Sequence, residues 1–149
     1  MLSKEKIEYF KERRVDIAII EVGMGGRWDA TNVITPLVSV LTTIDIDHTE
    51  YLGKSLAKIA AEKAGIIKKG IPVVCGEDKA DALKIISKAA KEQGAQLRRL
   101  GPDFSMAGGE RGLDYLGIDG VLKALRLGLA GGHQLKNAAC ALAVIELLK

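Results

Sequence analysis

The chain has 149 residues, long enough for one domain with its own hydrophobic core. Hydrophobic residues make up 48% of it, which is ordinary for a globular protein, and the net charge of only +3 argues against a dedicated nucleic-acid binder. No apolar run reaches the length of about 18 residues that a membrane span needs, and residues 1–14 lack the apolar stretch of a signal peptide. We therefore expect a cytoplasmic protein with neither a nucleic-acid nor a membrane partner.

Apolar runs alternate with helical patterns through the first part of the chain. A polar helix is predicted over residues 4–13. Short β-branched runs predict strands covered on both faces at 15–22, 37–44 and 71–75. Helical periodicity over 55–68 and 78–93 separates the later strands. This alternation predicts an α/β fold, a parallel sheet with flanking helices and right-handed crossovers.

Beyond residue 94 the chain is rich in glycine and predicts a small antiparallel β section. One of its strands is expected over 121–129, and a closing helix over 134–148. The predicted organisation is thus a parallel α/β part at 1–94, a hairpin part at 95–130 and a helix at 131–149. Neither end resembles a linker, so we expect 1–149 to be a partial domain of a larger chain.

Polar side chains follow each predicted parallel strand, at the sheet edge where α/β proteins bind ligands. Glu21 ends the first strand, His48 follows the second and Glu77 follows the third. A carboxylate and an imidazole at neighbouring strand ends suit Mg²⁺ or Mn²⁺. The alternatives are a carboxylate that caps the glycine turn at 23–26 and a hydrogen-bonded loop histidine.

Lys63 falls on the apolar stripe of its predicted helix, together with Ile59 and Ala60. Its stem could simply pack while the ammonium reaches water. It could instead be a reactive neutral amine that binds phosphate or takes up CO₂ as a carbamate, an acidic group suited to a metal. Asn137, near the start of the last helix, either satisfies local backbone groups or matches an adenine edge. No GxxxxGK[ST] phosphate loop is present.

Four segments resemble the folylpolyglutamate and dihydrofolate synthase family, a branch of the Mur ligase group. They occur in the family's order and are EVGMGGRWDATN at 21–32, DHTEYLG at 47–53, IAAEKAGII at 59–67 and GHQLKNAA at 132–139. The resemblance implies that the chain is a partial ATP-binding domain of the incomplete Mur-ligase central-domain type. It also implies that the phosphate loop and a C-terminal domain belong to other parts of the enzyme.

The resemblance further implies a role for individual residues. Glu21 and His48 would be Mg²⁺ ligands, and Lys63 would be carbamylated and help to place the metal, with His48 and Lys63 serving catalysis. Asn137 would contact the adenine of ATP. The substrate residues are those on the segment that touches the pterin: Trp28, Asp29 and Ala30.

The implied reaction is ligation of an amino acid to a folate-type acid. ATP activates the carboxylate of dihydropteroate or a reduced folate as an acyl phosphate, which the amine of L-glutamate displaces. We expect the isolated chain to be inactive. Two alternatives stay open: a non-catalytic nucleotide- or metal-binding module, and a related Mur-type amide ligase with another substrate.

Overall fold

The computed structural model describes residues 4–45 and 55–149. The helices are α1 (Lys4–Arg13), α2 (Leu56–Lys63), α3 (Ala80–Glu92) and α4 (Gly132–Leu147). The strands are β1 (Ser39–Leu41), β2 (Val73–Cys75), β3 (Leu97–Arg99), β4 (Ser105–Gly109), β5 (Gly112–Leu116) and β6 (Val121–Leu125). None of the helices in these described ranges is long and apolar enough to cross a membrane.

The first three strands form a parallel sheet in the order β1-β2-β3. α2 connects β1 to β2, and α3 connects β2 to β3, as parallel neighbours require. Ser55 caps α2 by accepting a hydrogen bond at Oγ from the backbone N–H of Lys58. The predicted α/β class and parallel sheet are confirmed.

Two apolar clusters cover the two faces of this sheet. Val73 and Cys75 of β2 face a cluster that contains Ile59 of α2 and Ile86 of α3. Val74 points the other way, into a cluster built by the antiparallel strands and α4: Phe104, Tyr115, Ala139, Cys140 and Ala143. The central strand is therefore buried on both sides, as its continuous apolar sequence predicts.

The strands β4, β5 and β6 form the predicted antiparallel sheet, which packs against α4. Tyr115 of β5 is fully buried, and its hydroxyl donates to Glu146 of α4 at 2.8 Å. Glu146 also accepts from the backbone N–H of Ile118. Burial, the hydrogen bond to Glu146 and the nearby negative charge raise the pKa of Tyr115. This contact joins the antiparallel sheet to the last helix.

The strand predicted over residues 15–22 is wrong for this structure. The segment has no regular secondary structure and pairs with no described strand, and Ile19 is 94% exposed. A β-branched apolar run becomes a strand only where a neighbour accepts its backbone hydrogen bonds and other elements cover its faces. None of the described strands pairs with residues 15–22, so no strand forms there.

Three predicted boundaries also differ. The parallel part extends past residue 94, because β3 pairs with β2 rather than with the hairpins. The helix predicted over 55–68 is α-helical only to Lys63 and then tightens into a 3₁₀ turn at Ala64–Ile66. The strand predicted over 121–129 ends at Leu125, directly after Ala124 adopts a left-handed φ of 58°.

Tyr115→Phe should lower the free energy of unfolding by about 1–2 kcal/mol, because it leaves the Glu146 carboxylate without its phenolic donor. Tyr9→Phe is the matched control, since the Tyr9 side chain is half exposed on α1. Urea denaturation followed by circular dichroism measures both variants. Equal losses in the two variants would contradict a specific role for the Tyr115–Glu146 contact.

Candidate functional site

A fully buried carboxylate lies at the carboxyl edge of the parallel sheet. Glu77 lies two residues beyond the end of β2 and is 0% exposed. Its Oε2 accepts from the backbone N–H of Ile44, beyond the end of β1, at 2.5 Å. Its Oε1 accepts from the backbone N–H groups of Asp78 and Lys79 at 2.8 and 2.7 Å. Glu77 therefore ties the loop after β2 to the chain leaving β1.

Two ion pairs extend this connection at the same edge. The Lys79 ammonium donates to the carbonyl of Ile44 and to Asp45 Oδ1, both at 2.6 Å. The bond to Asp45 and the charge of Glu77 raise the pKa of Lys79. Asp78 pairs with Lys136 in the first turns of α4, which lowers the pKa of Asp78. The sheet edge is thus linked to the start of α4.

The glycine turn at residues 23–26 lies against the C-terminal end of α2. The backbone N–H of Arg27 donates to the carbonyl of Glu62 at 2.9 Å. A Cβ added to Gly26 would lie 2.8 Å from that carbonyl oxygen, and one added to Gly65 would lie 2.5 Å from Arg27 Cβ. Glycine is therefore required at both positions by close backbone contact. The first and third family-like segments meet here.

Asn32 and Lys68 strengthen this contact. Asn32 Nδ2 donates to the carbonyls of Arg27 and Gly65 at 2.8 and 3.2 Å. The Lys68 ammonium donates to the carbonyl of Asn32 at 2.7 Å. Arg27 also forms an ion pair with Glu62, in which Nε lies 3.7 Å from Oε1. The hydrogen bonds to the carbonyls of Glu62 and Gly65 lie on either side of Lys63 in the sequence. They therefore help to fix the backbone position of Lys63.

Asp29 organises the glycine turn from within. Its carboxylate accepts from the backbone N–H groups of Gly23, Met24 and Thr31 and from the Thr31 hydroxyl. Desolvation alone would raise the pKa of Asp29, but the hydrogen bonds from Thr31, Met24 and Gly23 outweigh it and hold the pKa below its usual value. The carboxylate predicted to touch substrate is therefore already engaged by its own loop.

The structure describes two of the three predicted metal ligands. Glu21 is exposed just before the glycine turn, and Lys63 is the last residue of α2 and half-buried. His48 lies outside the described residues. Within residues 4–45 and 55–149, no three histidine, cysteine or acidic side chains gather into a metal-binding group. The set of Glu21, His48 and Lys63 stays a prediction.

The remaining predicted residues are accessible to ligands. Trp28 is 87% exposed beside the glycine turn, and Ala30 begins the 3₁₀ turn Ala30–Val33 and is exposed. Asn137 lies in the early turns of α4, where its Nδ2 donates to Gln134 Oε1 at 3.2 Å. The Asn137 residue is exposed, and its carboxamide offers the donor and the acceptor that an adenine edge needs. The Glu21 carboxylate is an oxygen donor of the kind Mg²⁺ prefers.

The sequence alone does not single out three basic residues that form ion pairs in this region. Arg27 and Lys136 fall inside family-like segments and Lys79 lies outside them, but each is one of the chain's 22 basic residues, and the ion-pair partner of each is distant in sequence. Their positions follow only from the packing of the strands. Glu77 could have been given a structural role, since an acid just beyond the end of a buried strand needs hydrogen-bond partners.

Asp29→Asn should lower the free energy of unfolding by about 1 kcal/mol or more, because an amide NH₂ would face backbone donors. Asp16→Asn in the exposed segment before the turn is the matched control. Because the folded-state pKa of Asp29 is depressed, its stabilisation is present above the unfolded pKa and is lost as the pH falls through the folded value.

Denaturation of the wild type and of Asp29→Asn at a series of pH values tests this account. The difference in stability between the two proteins should shrink at the acid end. A difference that is independent of pH would contradict the role assigned to the Asp29 charge.

Comparison with known proteins finds relatives over most of the chain. The profile of the Mur ligase middle domain matches residues 3–145. The folylpolyglutamate synthase of Lacticaseibacillus casei is 44% identical over 139 residues, covering 90% of this chain and 32% of the relative. The dihydrofolate synthase/folylpolyglutamate synthase of Mycobacterium tuberculosis is 41% identical over 148 residues, covering 92% and 30%. The chain thus spans about a third of the length of these relatives.

Solved structures show the same similarity. The apo form of the L. casei synthase superimposes with a TM-score of 0.90 at 41% identity, covering 95% of this chain and 36% of that one. Escherichia coli FolC in complex with DHPP and ADP gives 0.86 at 36% identity, covering 95% and 33%. The resemblance inferred from the four segments and the expected fold type are confirmed, and the chain belongs to the Mur ligase middle domain family.

Proposed function

We propose that this chain is the ATP- and metal-binding part of a cytoplasmic, ATP-dependent ligase that joins L-glutamate to a pteroate or folate carboxylate. The observation that carries the proposal is the contact between the glycine turn and the end of α2. It brings the segment that follows Glu21 and carries Trp28 against the helix that ends at Lys63. Similar solved structures include an FPGS–AMPPCP–folate complex and E. coli FolC in complex with DHPP and ADP.

The proposed reaction has two balanced steps. A carboxylate oxygen of the folate substrate attacks the γ-phosphorus of ATP, which forms an acyl phosphate and releases ADP. The neutral amine of glutamate then attacks the acyl carbon, and the bond from that carbon to the phosphate oxygen breaks. The nitrogen loses a proton to the released phosphate or to water, which leaves an amide. Mg²⁺, when bound, would neutralise phosphate charge during the first step.

Each predicted residue then has a defined task. Glu21, His48 and the Lys63 carbamate would hold the metal, and Asn137 would bind the adenine through its carboxamide. The exposed indole of Trp28 would offer a flat apolar surface for a pterin ring, with Asp29 and Ala30 shaping the adjoining turn. The bonds from Arg27 and Asn32 to the end of α2 would keep Lys63 in place.

The proposal is tested by ADP formation in the full-length protein that carries this chain. Turnover should require Mg²⁺, glutamate and either dihydropteroate or a reduced folate, and the 149-residue chain alone should show none. Mg-ATP binding without turnover in the full-length protein would favour a non-catalytic nucleotide-binding module. Turnover with another carboxylate and amine, but not with a folate, would favour a different Mur-type amide ligase.

Lys63→Ala should lower kcat of the full-length ligase on the order of 100-fold, because the acidic group proposed to help hold the metal is lost. Lys58→Ala on the same helix is the matched control, since Lys58 is exposed. Removal of CO₂ and bicarbonate from the assay should slow the wild type and leave Lys63→Ala unchanged. Equal CO₂ dependence in both proteins would exclude a carbamate at Lys63.

A further inference from the structure

Glu77 is the most unusual side chain in the described part of the chain. It is the one acidic residue there that is fully buried, and it belongs to none of the four family-like segments. Burial of a carboxylate opposes folding unless donors replace the lost water. Three backbone N–H groups do so, from Ile44, Asp78 and Lys79. The burial of Glu77 is therefore tolerated only while these three backbone N–H groups keep their positions, and its carboxylate in turn holds them there.

The donors come from two different strand ends. Ile44 lies after β1, whereas Asp78 and Lys79 lie in the loop between β2 and α3. The Lys79 side chain connects the same two segments, because its ammonium donates to the carbonyl of Ile44 and to the Asp45 carboxylate. Ile44 is thus held through its N–H by Glu77 and through its carbonyl by Lys79. Both polar backbone groups of one residue are fixed by side chains of the neighbouring loop.

The same loop also reaches α4. Asp78, adjacent to Glu77, pairs with Lys136, which directly precedes Asn137. On the other side, Asp45 stands three positions before His48 in the sequence. Glu77 is therefore central to a connection between the chain leading to the predicted metal ligand and the helix start that carries the predicted adenine contact.

We propose that Glu77, with Lys79, is a positioning residue for Mg-ATP: its buried carboxylate fixes the Ile44–Asp45 backbone relative to the start of α4. This inference rests on the proposed function and adds a role for residues outside the family-like segments. Glu77 is not expected to touch the nucleotide, because its side chain is enclosed and its oxygens are occupied by backbone donors. Its effect is on nucleotide affinity, not on the folate substrate.

Glu77→Gln keeps the shape of the side chain and replaces one acceptor oxygen with an NH₂ that faces N–H donors. In the full-length protein it should raise KM for Mg-ATP on the order of 10-fold and leave KM for the folate substrate and glutamate within about twofold. Isothermal titration calorimetry with Mg-AMPPCP should show the same weakening without turnover. Glu110→Gln, exposed in the turn between β4 and β5, is the matched control and should behave as wild type.

A second pair of variants keeps the test decisive if Glu77→Gln does not fold. Lys79→Met removes the ammonium that holds Ile44 and Asp45, on a side chain that is already partly exposed. It should weaken Mg-AMPPCP binding about 3- to 10-fold. Lys84→Met, exposed on α3, is its control and should not.

A purely structural role would lower the melting temperature and the active fraction while KM for Mg-ATP and the calorimetric Kd stay at wild-type values. That outcome would overturn the proposal. If the full-length wild type binds Mg-AMPPCP but makes no ADP with any folate, the ligase function fails on its own, and the calorimetric comparison still decides the role of Glu77. If the wild type does not bind Mg-AMPPCP at all, both proposals fall.

Discussion

The complete burial of β2 is the constraint on which the other elements depend. Val73, Val74 and Cys75 are all 0% exposed, with β1 and β3 at the edges and an apolar cluster on each face. Immediately after the strand, the N–H of Gly76 donates to the carbonyl of Leu41 at 2.7 Å. A Cβ at Gly76 would lie 2.8 Å from Cys140 Sγ, so α4 is packed directly on the strand end. This contact holds the middle of α4, and the Asp78–Lys136 pair holds its start, close to the edge where ligands bind in α/β folds.

The parts of the fold that could be predicted from sequence are those governed by local pattern and burial together. Helix α1, the core of α3 and the central strand follow from periodicity, glycine stops and continuous apolar sequence. The segment 15–22 has the same apolar pattern as a buried strand, yet it pairs with no described strand. The apolar pattern of a segment indicates which side chains it can bury. Whether the segment forms a strand depends on a partner strand elsewhere in the chain. That difference explains why an exposed Ile19 could not be foreseen.

The candidate site likewise contains features that could be predicted from sequence and features that could not. The glycine turn and the helix of Lys63 were recognisable as segments, but their contact depends on two backbone approaches that only the folded chain reveals. Asp29 shows the limit of assigning roles by resemblance alone, because its oxygens are bonded to Gly23, Met24 and Thr31. Lys79 and Lys136 act across sequence separations of 34 and 58 residues, which no spacing rule captures. Long-range polar contacts of this kind follow from topology.

The exposed position of Trp28 has a spectroscopic consequence. It is the single tryptophan of the chain, and it lies in water beside the glycine turn rather than in either apolar cluster. Its indole is hydrated in the folded chain much as it is in the unfolded chain, so its emission should change little on denaturation. The same indole should respond strongly when a flat aromatic molecule covers the turn. The indole would therefore report on a ligand bound at this surface while being nearly silent about folding.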